Sequence, residues 1–567
     1  MAQVKYIFVD SQKEKATELK DKIDTFKDKF DRDLNIEIHV AQVEKKELDD
    51  LMHMLGENRL PLRKACLEGT RTTILQDIET EIKNVNGPNV IWIRGSPGVG
   101  KSALAASIAN QLVDQKRHVI PFRFDRTDST ITTSALWRTV ACDLARMFPS
   151  LRQHLAQGIQ GRNSSDIDRL FKLLIEEPLF VLVDAIPWEE LPVIVIDALD
   201  ECGGLKHDTS GKEDFRDLLH TLKHWIQVNQ LKKLKLVITS RPEDRITFPN
   251  SISIHDIPSG HGVKPGDSVS NDIRTFLQSR LDDMKMNPAW IAEALKYLVS
   301  GAAGIFIWAT TVANFLEDDP QVRLHILKSR KGGDDLEGMN DLFSLYATVI
   351  KASFGRILKQ EVQGIVSVIG AMIYAKQPLS DDVLVMLPGV KIGDSDVMQL
   401  IRKNLVSVVG SGTILHFHHK SFEDYLLSPS FLQEFPEFST VQDRGHHERQ
   451  LAMLCLKTLV SPKLHFNMCS LDSSVIKNAD IQPDVKSAIP PLILYSSQFW
   501  ADHLVHTRSD EPSDHKMKEG VKFMMYEKLL FWIETMSLLG KVYEVSSILR
   551  RALSWKVCFQ LISLQHI

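Results

Sequence analysis

The chain has 567 residues, of which 43% are hydrophobic and 25% charged, and its formal net charge is −5 at pH 7. That length has room for roughly three to five domains, and the composition excludes a disordered or fibrous protein. The small net charge gives no global field for nucleic acid, and no window reaches the roughly 18 apolar residues of a membrane span.

The start, Met-Ala-Gln-Val-Lys-Tyr, lacks the basic and apolar segments of a secretory signal. Cys66, Cys142, Cys202, Cys455, Cys469 and Cys558 lie far apart, which argues against a zinc site or a disulfide framework. A soluble, cytoplasmic protein of a reducing compartment is expected. Residues 1–58 read as a small separate unit of unknown role. Val4 to Val9 is strand-like, Leu19, Ile23, Phe26 and Phe30 share one face of a charged helix, and Ile36, Ile38 and Val40 alternate as in a strand. A helix over 73–83 then stops at Gly87-Pro88.

The stretch from Val90 to Gly95 reads as a buried strand that empties into Ser96-Pro97-Gly98-Val99-Gly100-Lys101-Ser102 and a helix to about residue 113. This is the context of a phosphate-binding loop. Glycines let the backbone turn so that consecutive N–H groups face phosphate oxygens, and the following helix adds its positive N-terminal end. In such a loop Gly95, Ser96, Pro97, Gly98, Val99 and Gly100 form the cradle, Lys101 reaches the β/γ-phosphates, and Ser102 sits on Mg²⁺.

After the loop, strands and helices alternate: strand 118–124, helices 134–147 and 167–175, strand 193–196, helix 215–228 and strand 234–239. Such alternation predicts a mostly parallel sheet with flanking helices and a ligand at the carboxyl ends of its strands. The strand Val193-Ile194-Val195-Ile196 delivers Asp197 to that end, where a carboxylate would hold the Mg²⁺ water shell beside Ser102. Asp200 and Glu201 follow it, and either is placed to orient the attacking water or to cap a helix. Arg241, after the next strand and between Ser240 and Pro242, is a candidate for sensing the γ-phosphate.

Beyond about residue 272 the pattern is helical, with Ser300-Gly301-Ala302-Ala303-Gly304 as a break. Helical patterns over 342–358, 361–374 and 397–405 precede two strand-like runs, 406–409 and 414–417, joined by a Gly410-Ser411-Gly412-Thr413 turn. Helices followed by a hairpin predict a winged helix. It concentrates no Lys/Arg on a recognition helix, so an internal packing role is expected and no nucleic-acid site is assigned. His416, His418 and His419 near the second run read as surface histidines or as a small metal cluster. Residues 440–567 are mostly helical, with no recurring period of 33–45 residues.

The segments Gly95 to Ser102, Ile196-Asp197-Ala198-Leu199-Asp200-Glu201-Cys202 and Ile238-Thr239-Ser240-Arg241-Pro242-Glu243 together closely resemble the NACHT domain of STAND-class P-loop NTPases. The similarity is to the large fungal, NLR-like set whose nucleotide domain is also described as nephrocystin-like. It extends to Cys66-Leu67-Glu68-Gly69-Thr70-Arg71, Phe122-Arg123-Phe124-Asp125-Arg126 and Gly304-Ile305-Phe306-Ile307-Trp308-Ala309. It also covers His419-Lys420-Ser421-Phe422-Glu423-Asp424-Tyr425-Leu426 and Trp500-Ala501-Asp502-His503-Leu504.

The resemblance implies an α/β P-loop NTPase domain at 59–258, a helical domain at 259–332, a winged helix at 333–430 and a C-terminal helical region at 431–567. It implies that His419 contacts the β-phosphate of ADP in the resting state. The expected function is a nucleotide-binding signalling switch that binds ATP or GTP with Mg²⁺, hydrolyses it slowly, and opens, self-associates or meets protein partners. A turnover P-loop ATPase, remodelling nucleic acid or acting as a small-molecule kinase, and an ADP-holding scaffold are the alternatives. Family members usually carry an N-terminal effector and often a C-terminal WD-repeat sensor, and neither is evident in this sequence.

Overall fold

The computed structural model describes residues 46–555 except residue 47 and the stretches 53–54, 160–165, 204–208, 229–233, 250, 260–266, 330–337, 355–358, 393–394, 411–413, 474–480, 482–487 and 508–513. The strand–helix–strand pattern expected over 4–40 lies outside the described residues. Of the small unit expected at 1–58, Leu51 and Leu55 are described, and both pack into a core of the sheet.

Five strands form the sheet: β1 (Val90–Gly95), β2 (Val119–Arg123), β3 (Val193–Asp197), β4 (Leu236–Ser240) and β5 (Ser253–Ile257). Their order is β2-β3-β4-β1-β5 and every pairing is parallel. Because side chains alternate along a strand, each strand feeds two cores. Trp92, Ile194, Ile196, Leu236 and Ile238 face one layer of helices, whereas Ile91, Ile93, Val193, Val195 and Val237 face the other. Burial on both faces is why these strands read as continuous apolar runs. β1 lies inside the sheet, between β4 and β5, so the loop that follows it leaves the sheet's carboxyl edge with a strand on either side.

Among the elements that depart from the sequence reading are β5 and the helix that begins at Ile167. β5 was not expected: among the described residues it is an edge strand paired with β1 alone, and its alternating exposure, with Ile254 and Asp256 outward, leaves no apolar run to recognise. The helix expected over 167–175 continues to Ala185, because a wide turn at Lys172–Glu176 accommodates Pro178, whose missing N–H would otherwise end it.

Four helices follow, Ser268–Asp283, Pro288–Ala302, Phe306–Leu316 and Pro320–Lys328. The break expected at 300–304 is a left-handed turn at Ala303 (φ 44°) and Gly304 (φ 81°). Next come Gly338–Phe354, Lys359–Tyr374, Asp381–Leu384 and Val397–Asn404, then the antiparallel pair β8 (Val409–Gly410) and β9 (His416–Phe417); a two-residue pair, β6 (Lys391–Ile392) and β7 (Ser395–Asp396), precedes the last helix. This hairpin is shorter than expected, since a turn in which Val408 N donates to Leu405 O (2.9 Å) takes up residues 405–408. The helix Lys420–Leu426 follows β9 directly.

One apolar core runs from Ile273 to Trp555, through the segments expected as helical domain, winged helix and C-terminal region. Within it, buried Glu448 takes Lys376 (3.3 Å), Arg444 (3.2 Å) and His503 (2.6 Å) as partners, and Tyr495 closes the network at His503 Nε2 (2.7 Å). Burial raises the Glu448 carboxyl, but the Lys376 ammonium and the hydrogen bond with His503 outweigh it and hold the group down at about 2.

Candidate functional site

The expected phosphate loop has the backbone such a loop requires. Gly98 (φ 80°) and Gly100 (φ 96°) adopt left-handed conformations that side chains resist, and Gly100 immediately precedes the helix Lys101–Asp114. Three outside contacts fix the loop. Arg71 Nη2 donates to Val99 O (2.7 Å), Ile307 N donates to Gly98 O (3.0 Å), and Ser259 Oγ donates to Ser96 Oγ (2.9 Å). A methyl group on Gly98 would lie 2.0 Å from Ile307 Cγ2, so the segment 305–307 lies directly on the loop.

Lys101 Nζ donates to Gly95 O (2.8 Å) and Ser96 O (3.0 Å), folding the ammonium into its own loop. Burial lowers its pKa to about 8, with Asp200 opposing that shift.

Asp197 ends β3 fully buried. Its Oδ1 accepts a hydrogen bond from Thr239 Oγ1 (2.6 Å), while Oδ2 has no hydrogen-bond partner among the described residues. A buried carboxylate oxygen without a donor is costly unless a cation or water meets it. The residues therefore fit the expected divalent ion, which Asp197 and Ser102 would hold.

The two candidate carboxylates after β3 face different partners. Asp200 Oδ1 accepts from Arg241 N (3.0 Å), Oδ2 lies 3.3 Å from Arg241 Nε, and its charge acts on Lys101. Glu201 is instead 2.8 Å from Lys420 Nζ, which also lies 3.3 Å from Asp125 Oδ1. Desolvation raises the Glu201 pKa and Lys420 opposes it; desolvation also raises Asp125, but Lys420, Thr127 and Arg123 outweigh it and hold that carboxyl low. Of the two carboxylates Asp200 acts the more strongly on the charge of Lys101, whereas Glu201 pairs with a residue more than 200 positions away in sequence.

Arg241 also reaches that distant helix, donating from Nη1 to Asp424 Oδ2 (2.9 Å). Arg126, after β2, donates from Nη2 to Asp424 Oδ1 (2.8 Å) and lies 3.3 Å from Glu423 Oε1.

His419 caps the helix Lys420–Leu426, its Nδ1 accepting from Ser421 N (3.1 Å). An accepting Nδ1 puts the proton of the neutral ring on Nε2, which becomes the donor for an anion. Burial, then the cations Arg63, Arg241 and Lys101, push its pKa well below 6.5, and the adjacent Lys420 meets Glu201 at the end of β3 at 2.8 Å. His416 and His418 pair instead with the carbonyls of Ile414 and Val406.

The structure thus brings Gly95 to Ser102, Asp197, Asp200, Glu201, Arg241 and His419 to one edge of the sheet. Sequence reasoning assigned no role to Asp125, Arg126, Thr239, Lys420 or Asp424. The readable signal was the run Lys420, Glu423 and Asp424, charges on a short helix whose Ser421, Phe422 and Glu423 are buried and therefore need partners.

Residues 69–241 match the family model described as Nephrocystin 3, N-terminal. Vegetative incompatibility protein HET-E-1 of Podospora anserina is 24% identical over 501 residues, covering 82% of this chain and 34% of its own length. The chain therefore spans about a third of that relative. Among solved structures, the STAND protein PH0952 of Pyrococcus horikoshii, with a tetratricopeptide repeat sensor, aligns over 89% of this chain and 65% of its own, at 15% identity and a TM-score of 0.37. The ORC2 protein of Aeropyrum pernix in its ADPNP-ADP complexes aligns over 69% and 98%, at 13% identity and a TM-score of 0.32.

Proposed function

We propose that this NACHT-like STAND NTPase, whose nephrocystin-type segment spans residues 69–241, is a nucleotide-controlled signalling switch. It binds ATP or GTP with Mg²⁺, hydrolyses it slowly, and rests closed around ADP. The observation that carries this reading is the pair of charge contacts from the helix Lys420–Leu426 to the strand ends, Lys420 with Glu201 (2.8 Å) and Asp424 with Arg241 (2.9 Å). A turnover enzyme has no use for a second unit that occupies its own candidate base and sensor. A switch requires one, because nucleotide can shift an equilibrium only through contacts that differ between two states.

The residues divide the work as follows. The backbone of Gly95 to Gly100 cradles the phosphates, Lys101 leaves the carbonyls of Gly95 and Ser96 to reach β/γ oxygens, and His419 Nε2 donates to the β-phosphate in the closed form. Asp197 and Ser102 hold Mg²⁺, which neutralises phosphate charge. Asp200 or Glu201 orients the attacking water, Glu201 only after Lys420 withdraws, and Arg241 senses the γ-phosphate. Opening exposes the surfaces for self-association or for protein partners, and the molecule works in the cytoplasm.

Lys101→Ala tests the assignment of the loop. Affinity for ADP and for a non-hydrolysable triphosphate should fall at least about a hundredfold, the loss of a charge-assisted contact worth about 3 kcal/mol. Unaltered affinity overturns it.

A further inference from the structure

Two arginines from different strand ends converge on one carboxylate of another unit. Arg241 Nη1 takes Asp424 Oδ2 at 2.9 Å, and Arg126 Nη2 takes Asp424 Oδ1 at 2.8 Å. The three side chains are largely withdrawn from water, at 21%, 14% and 24% exposure for Arg241, Arg126 and Asp424. Burial would raise the Asp424 carboxyl, but the two guanidiniums outweigh it and keep the group ionised. Each oxygen of a planar anion thus receives one guanidinium, the arrangement with which arginines also grip phosphate. The same Arg241 acts electrostatically on Lys101, and His419 responds to Lys101, Arg241 and Asp424 together. Ser240 pairs with Arg94, so Arg241 leaves the sheet beside the start of the Gly95–Ser102 loop, and Asp424 occupies that arginine.

We propose that Asp424 is a built-in surrogate for the γ-phosphate: it holds Arg241 while the helix Lys420–Leu426 is docked, and a bound triphosphate opens the molecule by competing for that guanidinium. A diphosphate brings no competing anion, so the Asp424–Arg241 pair survives and the helix stays docked. The differential affinity a switch needs is then located in one exchange of partners on Arg241. This inference rests on the switch reading above and adds the residue through which the third phosphate is felt.

The test is equilibrium binding of ADP and a non-hydrolysable ATP analogue, with the guanine pair in parallel, to the full chain and to Asp424→Asn, Arg241→Gln and the double variant. Removing the competing charge should tighten the triphosphate analogue about tenfold, equivalent to about 1.4 kcal/mol, and leave the diphosphate within about twofold. In the Arg241→Gln background the Asp424 substitution should shift nothing. Asp424→Ala provides a second variant, with the same expected shift, should Asp424→Asn fail to fold. An unchanged ratio in a folded variant that still binds both nucleotides overturns the proposal alone, as does a shift that persists without Arg241. Failure of the unsubstituted chain to bind either nucleotide overturns the switch reading and this proposal with it.

Discussion

Gly98→Ala should loosen the loop from the segment that covers it. The new methyl group would stand 2.0 Å from Ile307 Cγ2, 2.9 Å from Ile307 Cβ and 3.2 Å from Ile305 Cγ2, on a residue whose φ is 80°. The left-handed backbone costs about 1–2 kcal/mol for a residue with a Cβ. The overlap adds about 1–3 kcal/mol, since neighbours at the centre of a packed contact must shift. The total is about 2–5 kcal/mol. Gly100→Ala separates the two contributions, because its φ is 96° but its nearest neighbour would be Phe306 Cδ2 at 3.9 Å. It should cost the backbone strain alone, about 1–2 kcal/mol. Trimming Ile307 to Ala in the Gly98→Ala background should recover about 1–3 kcal/mol relative to the sum of the single changes. The assay is denaturant unfolding of the full chain, followed by a probe that reports the nucleotide-domain transition separately. Equal costs for Gly98→Ala and Gly100→Ala, or additivity of Gly98→Ala with Ile307→Ala, would refute the clamp between the loop and residues 305–307.

Asp197→Asn should leave metal-free nucleotide binding within about twofold and erase the extra affinity that Mg²⁺ confers, about tenfold for the loss of one charged ligand; titrations with Mg²⁺ and with chelator check it. Lys420→Met strands the half-buried carboxylates of Glu201 and Asp125, whose ammonium partner lies at 2.8 and 3.3 Å. It should cost about 3–5 kcal/mol, and adding Glu201→Gln should return part of that loss, as read from unfolding midpoints of the two variants.

Much of the candidate site was legible because its residues are tied to local sequence. The loop announces itself by glycines at 95, 98 and 100, two of which take positive φ, and Asp197 sits where a fully apolar strand ends. The orphaned Oδ2 of that aspartate was foreshadowed by chemistry, whereas the Thr239 hydroxyl on Oδ1 was not, since it depends on β3 and β4 lying side by side. The same limit hid Arg126 and Asp424, which are 298 positions apart and meet only when the sheet edge faces the later helix. β5 escaped notice because an edge strand needs no apolar face, and the helix through Pro178 because a wide turn lets it pass a residue that normally stops one. The reading of Asp200 and Glu201 as equivalent changed most. Their side chains are one residue apart, yet one turns toward Lys101 and Arg241 and the other toward Lys420.

The central claim is that the third phosphate changes the shape of the molecule by undoing contacts of the helix Lys420–Leu426. Small-angle scattering joined to size-exclusion chromatography on the purified full chain measures this directly. The account predicts a compact species with ADP and a more extended or larger one with a non-hydrolysable triphosphate. Identical profiles with both nucleotides, under conditions where both are shown to be bound, would contradict it.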